Sequence, residues 1–241
     1  GGPADDRLRG SSDKDVLSGG GGDDDLLGDS GDDWMTGGNG NDRMEGGSGA
    51  DTMMGKDGDD FIQGGSGADR IEGDAGDDSI FAASGKDRVE AGDGNDLVSG
   101  GLGSDDLDGG QGMDFLIGGE GSDTIAGRGG MDLLVSGSVN ATGADLDSIH
   151  AEWLSHRDYS DRIENITGVK NNRVLNEDKR DSSRENTEFS LLPITGDKTV
   201  LDDEMEDILY GNAGRDLFFA DVDTDFVNDR VASESQIDLR S

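Results

Sequence analysis

Aspartate recurs every nine residues along the first half of this chain, and that spacing defines the chemistry open to it. Cut from Gly1, residues 1–135 fall into fifteen nine-residue units, and the sixth position is Asp in all of them: Asp6, Asp15, Asp24, Asp33, Asp42, Asp51, Asp60, Asp69, Asp78, Asp87, Asp96, Asp105, Asp114, Asp123 and Asp132. Asp fills 44 of 241 positions, so chance would supply about three in such a column. A chain that repeats at a fixed short period stacks like residues on like. Stacked carboxylates repel one another and cannot stay ionised side by side without cations between them. The turns add neutral oxygens, the backbone carbonyls near Gly22, Gly31, Gly40, Gly49, Gly58, Gly67, Gly76, Gly85, Gly94, Gly103, Gly112 and Gly121. Oxygen donors alone favour Ca²⁺ over transition metals, and Mg²⁺, which demands a strict octahedron, competes poorly. The expected ligand set is the Asp column from Asp15 to Asp132, joined near the C-terminus by Asp207 and Asp216. Asp23, Asp32, Asp59 and Asp77, at the fifth position, read either as auxiliary ligands or as solvated turn carboxylates.

The bulk composition points the same way. The formal net charge is −36, with 43 Gly, 2 Pro and 30% hydrophobic residues, too little apolar side chain for an ordinary core of this length. Such a charge disfavours nucleic acid, anionic membranes and acidic ligands as partners and favours cations. Cations held between stacked turns are expected to number roughly ten to thirteen; thirteen Ca²⁺ would cut −36 to about −10. The absence of Cys excludes disulfides and thiolate metal sites. There is no His-Glu-x-x-His or Gly-x-Ser-x-Gly, and two histidines leave little acid–base chemistry, so no enzyme is expected in this chain. No run of eighteen apolar residues and no leader-like pattern is present; the chain starts at Gly1 rather than Met and reads as a fragment or processed product.

The elements that must position the carboxylates follow from the eighth position, which is aliphatic or Met in every unit: Leu8, Leu17, Leu26, Met35, Met44, Met53, Ile62, Ile71, Ile80, Val89, Val98, Leu107, Leu116, Ile125 and Leu134. Strand alternation sends this residue inward and its neighbours outward, so the last three residues of each unit are expected to form a strand and the preceding six to reverse the chain. Gly at the first position (except Ala82 and Ala91) and at the fourth (except Ala4 and Asp13) is expected to allow backbone angles that a Cβ forbids. The pattern Gly-Gly-x-Gly-x-Asp-x-apolar-x, as in Gly37-Gly38-Asn39-Gly40-Asn41-Asp42-Arg43-Met44-Glu45, resembles the repeats-in-toxin nonapeptide. The resemblance implies an all-β fold, a right-handed parallel β-roll (a solenoid) loaded with calcium. Two units would make one coil, and odd and even units would build two facing parallel sheets. It also implies a secreted or cell-surface bacterial protein, exported unfolded by type I secretion and folding outside the cell.

The two sheets differ on their outer faces. The odd one presents an apolar stripe, Phe61, Phe81, Leu97, Phe115, Ile117, Leu133 and Val135; the even one is polar, with Trp34 as an isolated surface aromatic. A bare stripe of that size is unusual, so the C-terminal region is expected to fold over it, the alternative being self-association or a protein partner. The roll is assigned to residues 1–137 and the cap to 138–241. Helical spacing over 144–157 places Leu146, Ile149 and Trp153 on one side. His150 and His156 read as surface or packing residues. Residues 170–187 read as a polar loop, and degenerate repeats return over about 202–228, giving capping coils. The function expected is a calcium-dependent structural module. The alternatives are the non-catalytic tail of a secreted protease or lipase, or an adhesin or surface-layer assembly protein.

Overall fold

The computed structural model describes residues 1–139, 146, 149–151, 153–155, 189–190, 199–201, 208–213, 217–220, 226–228 and 235–238. The chain alternates between two parallel sheets. Strands β1 (Arg7–Arg9), β3 (Asp25–Ser30), β5 (Arg43–Ser48), β7 (Phe61–Ser66), β9 (Ser79–Gly85), β11 (Leu97–Gly103), β13 (Phe115–Glu120) and β15 (Leu133–Val135) build one sheet in that order. Strands β2 (Val16–Gly21), β4 (Trp34–Asn39), β6 (Thr52–Asp57), β8 (Arg70–Ala75), β10 (Arg88–Asp93), β12 (Asp106–Gly112) and β14 (Thr124–Gly130) build the other. Every pair is in register at a separation of eighteen residues, as in Arg88↔Asp106 and Leu97↔Phe115. The fold is an all-β parallel solenoid with two nonapeptides per coil.

The strands are longer than the repeat suggests, and this corrects two expectations. Most span six or seven residues, from the seventh position through the third of the next unit, so three residues and not six reverse the chain. In β5 the pattern from Arg43 to Ser48 buries Met44 and Gly46 and turns Glu45 outward. The first position therefore faces the core beside the eighth, and Ala82 and Ala91 lie buried there. Positive φ belongs to the second and fourth positions, not the first. At the first position glycine is a matter of room: a Cβ on Gly64 would stand 2.6 Å from the Ala82 carbonyl oxygen and 2.7 Å from Asp69 Oδ2.

The second position faces outward, and five non-glycine residues hold positive φ there: Asp29, Lys56, Asp74, Ala83 and Arg128. Four are held by ion pairs to neighbouring coils: Arg9–Asp29 at 2.6 Å, Lys56–Asp74 at 2.7 Å and Arg128–Asp108 at 2.6 Å. Ala83, at φ +84°, has only a methyl group, and Gly65 and Gly101 flank it in the sheet. Relieving a left-handed alanine outweighs the entropy of the added glycine. Ala83→Gly is expected to stabilise the calcium-loaded roll by about 0.5–1 kcal/mol; a thermal midpoint that stays put or falls would contradict this.

The core is one file of side chains per sheet. The eighth-position residues from Leu26 to Leu134 are all buried; Leu8 and Leu17, in the first coil, are only partly so. After Val135 the chain leaves the sheets. It rejoins them at β19 (Ile208–Ala213) on β14 and β20 (Leu217–Ala220) on β15. β21 (Phe226–Asn228) then pairs with β19, and β22 (Ser235–Asp238) with β20. The expected C-terminal coils are thus present, and they run past residue 228 to β22. The Ile208 N–H donates to the Asp123 carbonyl at 2.8 Å, as the Thr124 N–H does to Asp105, so the coil register resumes across the excursion.

Within the excursion, β16 (Ser138–Val139), β18 (Thr199–Leu201) and β17 (Phe189–Ser190) form a small antiparallel sheet. Residues 146, 149–151 and 153 are helical, and Leu146, Ile149 and Trp153 are buried. The Trp153 indole N–H donates to the Met131 carbonyl at 2.9 Å, and His150, half-buried, lies 6.5 Å from the Phe115 ring. Of the odd-sheet stripe, Leu97, Phe115, Ile117, Leu133 and Val135 are buried, and His150 of this segment lies beside Phe115. Phe61 and Phe81 stay half-buried, their rings tilted with centroids 5.7 Å apart, and the Arg43 guanidinium lies over Phe61 at 4.5 Å. Trp34 is exposed, as expected. His156, the ends of the expected helix, the 170–187 loop, Asp207 and Asp216 lie outside the described residues. No described helix is long and apolar enough to cross a membrane.

Candidate metal centre

Each turn is the fourth, fifth and sixth residue of a unit, and three groups of the sixth-position Asp fix it to its neighbours. Its N–H donates to the Oδ1 of the Asp eighteen residues on, from Asp6 to Asp24 at 2.7 Å through Asp60 to Asp78 at 2.8 Å to Asp114 to Asp132 at 3.1 Å. Its carbonyl accepts the N–H of the first strand residue of the following coil, as Asp78 does from Leu97 at 2.9 Å. Its own Oδ1 receives the N–H of the preceding coil. The structure therefore brings the expected carboxylates into two continuous columns, one along each edge of the roll.

From Asp6 to Asp114, the second carboxylate oxygen accepts a backbone N–H only in the first coil, from Gly2 to Asp6 and from Ser11 to Asp15, both at 2.7 Å. In eleven aspartates, Asp24 through Asp114, Oδ2 is buried and accepts no hydrogen bond, although the residues are 0–3% exposed. A buried carboxylate oxygen left unsatisfied is costly, and one in each of eleven successive turns calls for a common partner. Fourth-position glycines add neutral carbonyl oxygen to the same turns. The Gly76 carbonyl faces the Cα of Gly94 in the next coil, and the Gly85 carbonyl faces Gly103; a Cβ would fill that gap. Among the described residues no three His, Cys, Asp or Glu side chains converge. The donor set on offer is thus a few carboxylate oxygens plus backbone carbonyls, and it is wholly oxygen. It fits Ca²⁺.

Electrostatics support the fit. Burial, partly opposed by the donated backbone N–H, pushes Asp78, Asp96 and Asp114 up to about 8, Asp60 and Asp87 to about 7 and Asp69 to about 6, with neighbouring carboxylates adding to the rise. Asp42, Asp51 and Asp105 are raised by the same burial. Without cations Asp78, Asp96 and Asp114 thus hold protons near neutral pH. Asp78→Asn separates the two roles of the side chain: the amide oxygen still accepts the Asp60 N–H, but the charge is gone. The variant is expected to need several-fold more calcium for folding while forming the ion-free roll at higher pH than the parent. Circular dichroism across calcium and pH reads both, and a variant that is stabilised, or destabilised, both with calcium and without it would contradict the assignment.

The fifth-position aspartates have another task. Asp23, Asp59 and Asp77 accept the N–H of Asn41, Asp77 and Asn95 at 2.8–2.9 Å, and Asn41 and Asn95 continue the ladder. Asp32 does the same for Ala50 at 2.9 Å on the other edge. They hold successive turns together on the exposed rim. Sequence reasoning missed this ladder, although its signal, Asp or Asn at Asp5, Asp23, Asn41, Asp59, Asp77 and Asn95, recurs every eighteen residues rather than nine.

Comparison with curated proteins gives no match. Among family models, that of the RTX calcium-binding nonapeptide repeat matches residues 1–35, 26–53, 54–89, 81–116, 108–142 and 204–228. These segments take in the fifteen units and the returning strands β19 to β21, well over half of the sequence. The chain belongs to the RTX calcium-binding nonapeptide repeat family, a structural and non-catalytic class of calcium-binding module.

Proposed function

We propose that the two aspartate columns hold roughly ten to thirteen Ca²⁺ between successive turns, and that loading them folds the chain. The observation that carries this reading is the buried, partnerless Oδ2 repeated from Asp24 to Asp114. In this reading Asp15, Asp24 and the later members of the column to Asp132 donate carboxylate oxygen, and the fourth-position glycines from Gly22 to Gly121 donate carbonyls. Asp207 and Asp216, immediately before β19 and β20, extend the columns into the returning coils. Bound Ca²⁺ supplies the positive charge that offsets stacked carboxylates. The chain's own part is to fix Oδ1 on a backbone N–H and leave Oδ2 bare. Residues 1–137 form the roll, and 138–241 carry its cover and the returning coils.

The setting that suits such sites is outside the cell. Extracellular modules bind calcium at about 10⁻⁴–10⁻³ M, levels the cytosol does not reach. A secreted or cell-surface bacterial protein, exported unfolded by type I secretion, would fold on arrival. Equilibrium dialysis with metal analysis tests the core of the reading. The expected result is roughly ten to thirteen calcium ions per polypeptide, not displaced by equal magnesium. Binding of only one or two, or equal retention of magnesium, would refute it.

A further inference from the structure

Asn39-Gly40 is the one Asn-Gly pair in the sequence, and it occupies the third and fourth positions of its unit, where strand β4 enters a turn. This dipeptide is chemically labile for a steric reason: glycine has no Cβ to shield its backbone nitrogen. Once base has taken the peptide proton, that nitrogen attacks the asparagine Cγ. A bond forms between the two, the bond from Cγ to the amide nitrogen Nδ2 breaks, and ammonia leaves. Water then opens the five-membered imide at either carbonyl, giving aspartate or isoaspartate. No reactant beyond water and base is needed. Isoaspartate routes the backbone through Cβ and Cγ and adds one carbon to it.

In the roll this peptide group is clamped on both sides. The Asn39 carbonyl accepts the Gly22 N–H at 2.9 Å, and the Gly40 N–H donates to the Asp57 carbonyl at 2.8 Å. Gly40 is also held at φ +121°, against the preceding coil. The attacking nitrogen is thus engaged in an inter-coil bond, while the Asn39 side chain is exposed to water. Reaction needs local opening of that clamp, which folded structure makes rare.

We infer that Asn39-Gly40 is a calcium-gated deamidation site, closed in the loaded roll and open in the ion-free chain; this rests on the reading that calcium folds the roll. The two products differ in consequence. Plain aspartate is accommodated, since Asp57 and Asp93 stand at the same position in later units of the same edge, each with glycine after it. Isoaspartate is not: its extra carbon displaces the Gly40 carbonyl, which faces Gly58 in the next coil and belongs to the cation-lining set. A chain held too long without calcium therefore loses the ability to fold on receiving it.

The full-length protein is incubated in mildly alkaline buffer with saturating calcium, with chelator, or with chelator plus urea, and is then peptide-mapped by mass spectrometry. The expected result is exchange of the amide for a hydroxyl at Asn39 about tenfold or more faster in both calcium-free arms. Refolding on added calcium should fall in proportion to isoaspartate, and Asn39→Ser should keep full refolding after the same treatment. Equal rates in the calcium and urea arms would overturn the inference. A chelator arm that circular dichroism shows still folded, and that reacts as slowly as the calcium arm, would instead overturn the calcium-dependent reading and leave the protection itself to be judged by the urea arm.

Discussion

Stripping divalent ions at neutral pH is expected to abolish the strand signal of the whole roll, and acidifying the ion-free protein is expected to restore much of it. In the ion-free roll Asp78, Asp96 and Asp114 titrate at about 8, Asp60 and Asp87 at about 7 and Asp69 at about 6, all above the ordinary carboxylate value because they are buried. A carboxyl whose folded value lies above its unfolded one favours folding fully below the unfolded value, near pH 4, and loses that contribution as pH rises through the folded value. The window is therefore about pH 4 to 8. Holding several of these groups ionised at neutral pH costs on the order of a few kcal/mol each. Several such groups together are comparable to the roughly 5–15 kcal/mol by which domains are ordinarily stable. With calcium the sign reverses, because loading requires the deprotonated form, so the calcium midpoint should climb as pH falls. Circular dichroism in chelator from neutral to mildly acid pH, beside calcium and magnesium titrations, checks each part. A roll that persists in chelator at neutral pH, or an ion-free protein that only unravels further in acid, would defeat the argument.

The period of nine made most of this legible before any coordinates. A repeat that returns each residue to the same environment turns composition into geometry, so Asp6 to Asp132 and Leu8 to Leu134 announced the columns and the core together. Glycine was harder, because one residue type serves two purposes. At Gly64 it makes room for Asp69 Oδ2, and at Gly76 it adopts φ +136°; the letter is the same. The positive φ of the second position was hidden further, since Asp29, Lys56, Asp74, Ala83 and Arg128 occupy it without glycine. The last coil left almost no trace, because its register sets Gln236 against Phe218 where an apolar residue marks every earlier unit. The cover was foreseeable only in outline. The stripe from Leu97 to Val135 asked for one, but the bond from Trp153 to the Met131 carbonyl joins residues that no periodicity relates.

Among single substitutions, Gly103→Ala is expected to do the most damage, on the order of 4 kcal/mol or more. Gly103 sits at φ +137°, which side chains rarely adopt. An added Cβ would fall on the Gly85 carbonyl oxygen and stand 2.6 Å from its carbon. The obstacle is backbone, paired in register between neighbouring coils, so no side-chain rotation can relieve it. The same carbonyl lines the proposed cation site, so relief by backbone movement would also withdraw a ligand. Gly21→Ala is the matched control. It too lies in a strand of the roll, but its φ is unexceptional and the nearest atoms to a Cβ are 3.8 and 3.9 Å away, so it should be neutral to within about 0.5 kcal/mol. Because each coil contacts only its neighbours, the damage should be local at first. Hydrogen exchange should rise around residues 85–121 in saturating calcium while the first coils stay protected, and the calcium midpoint should move upward. Were Gly103→Ala to match Gly21→Ala in both measurements, the coils could not be stacked closely enough for a fourth-position carbonyl to reach an ion held between turns.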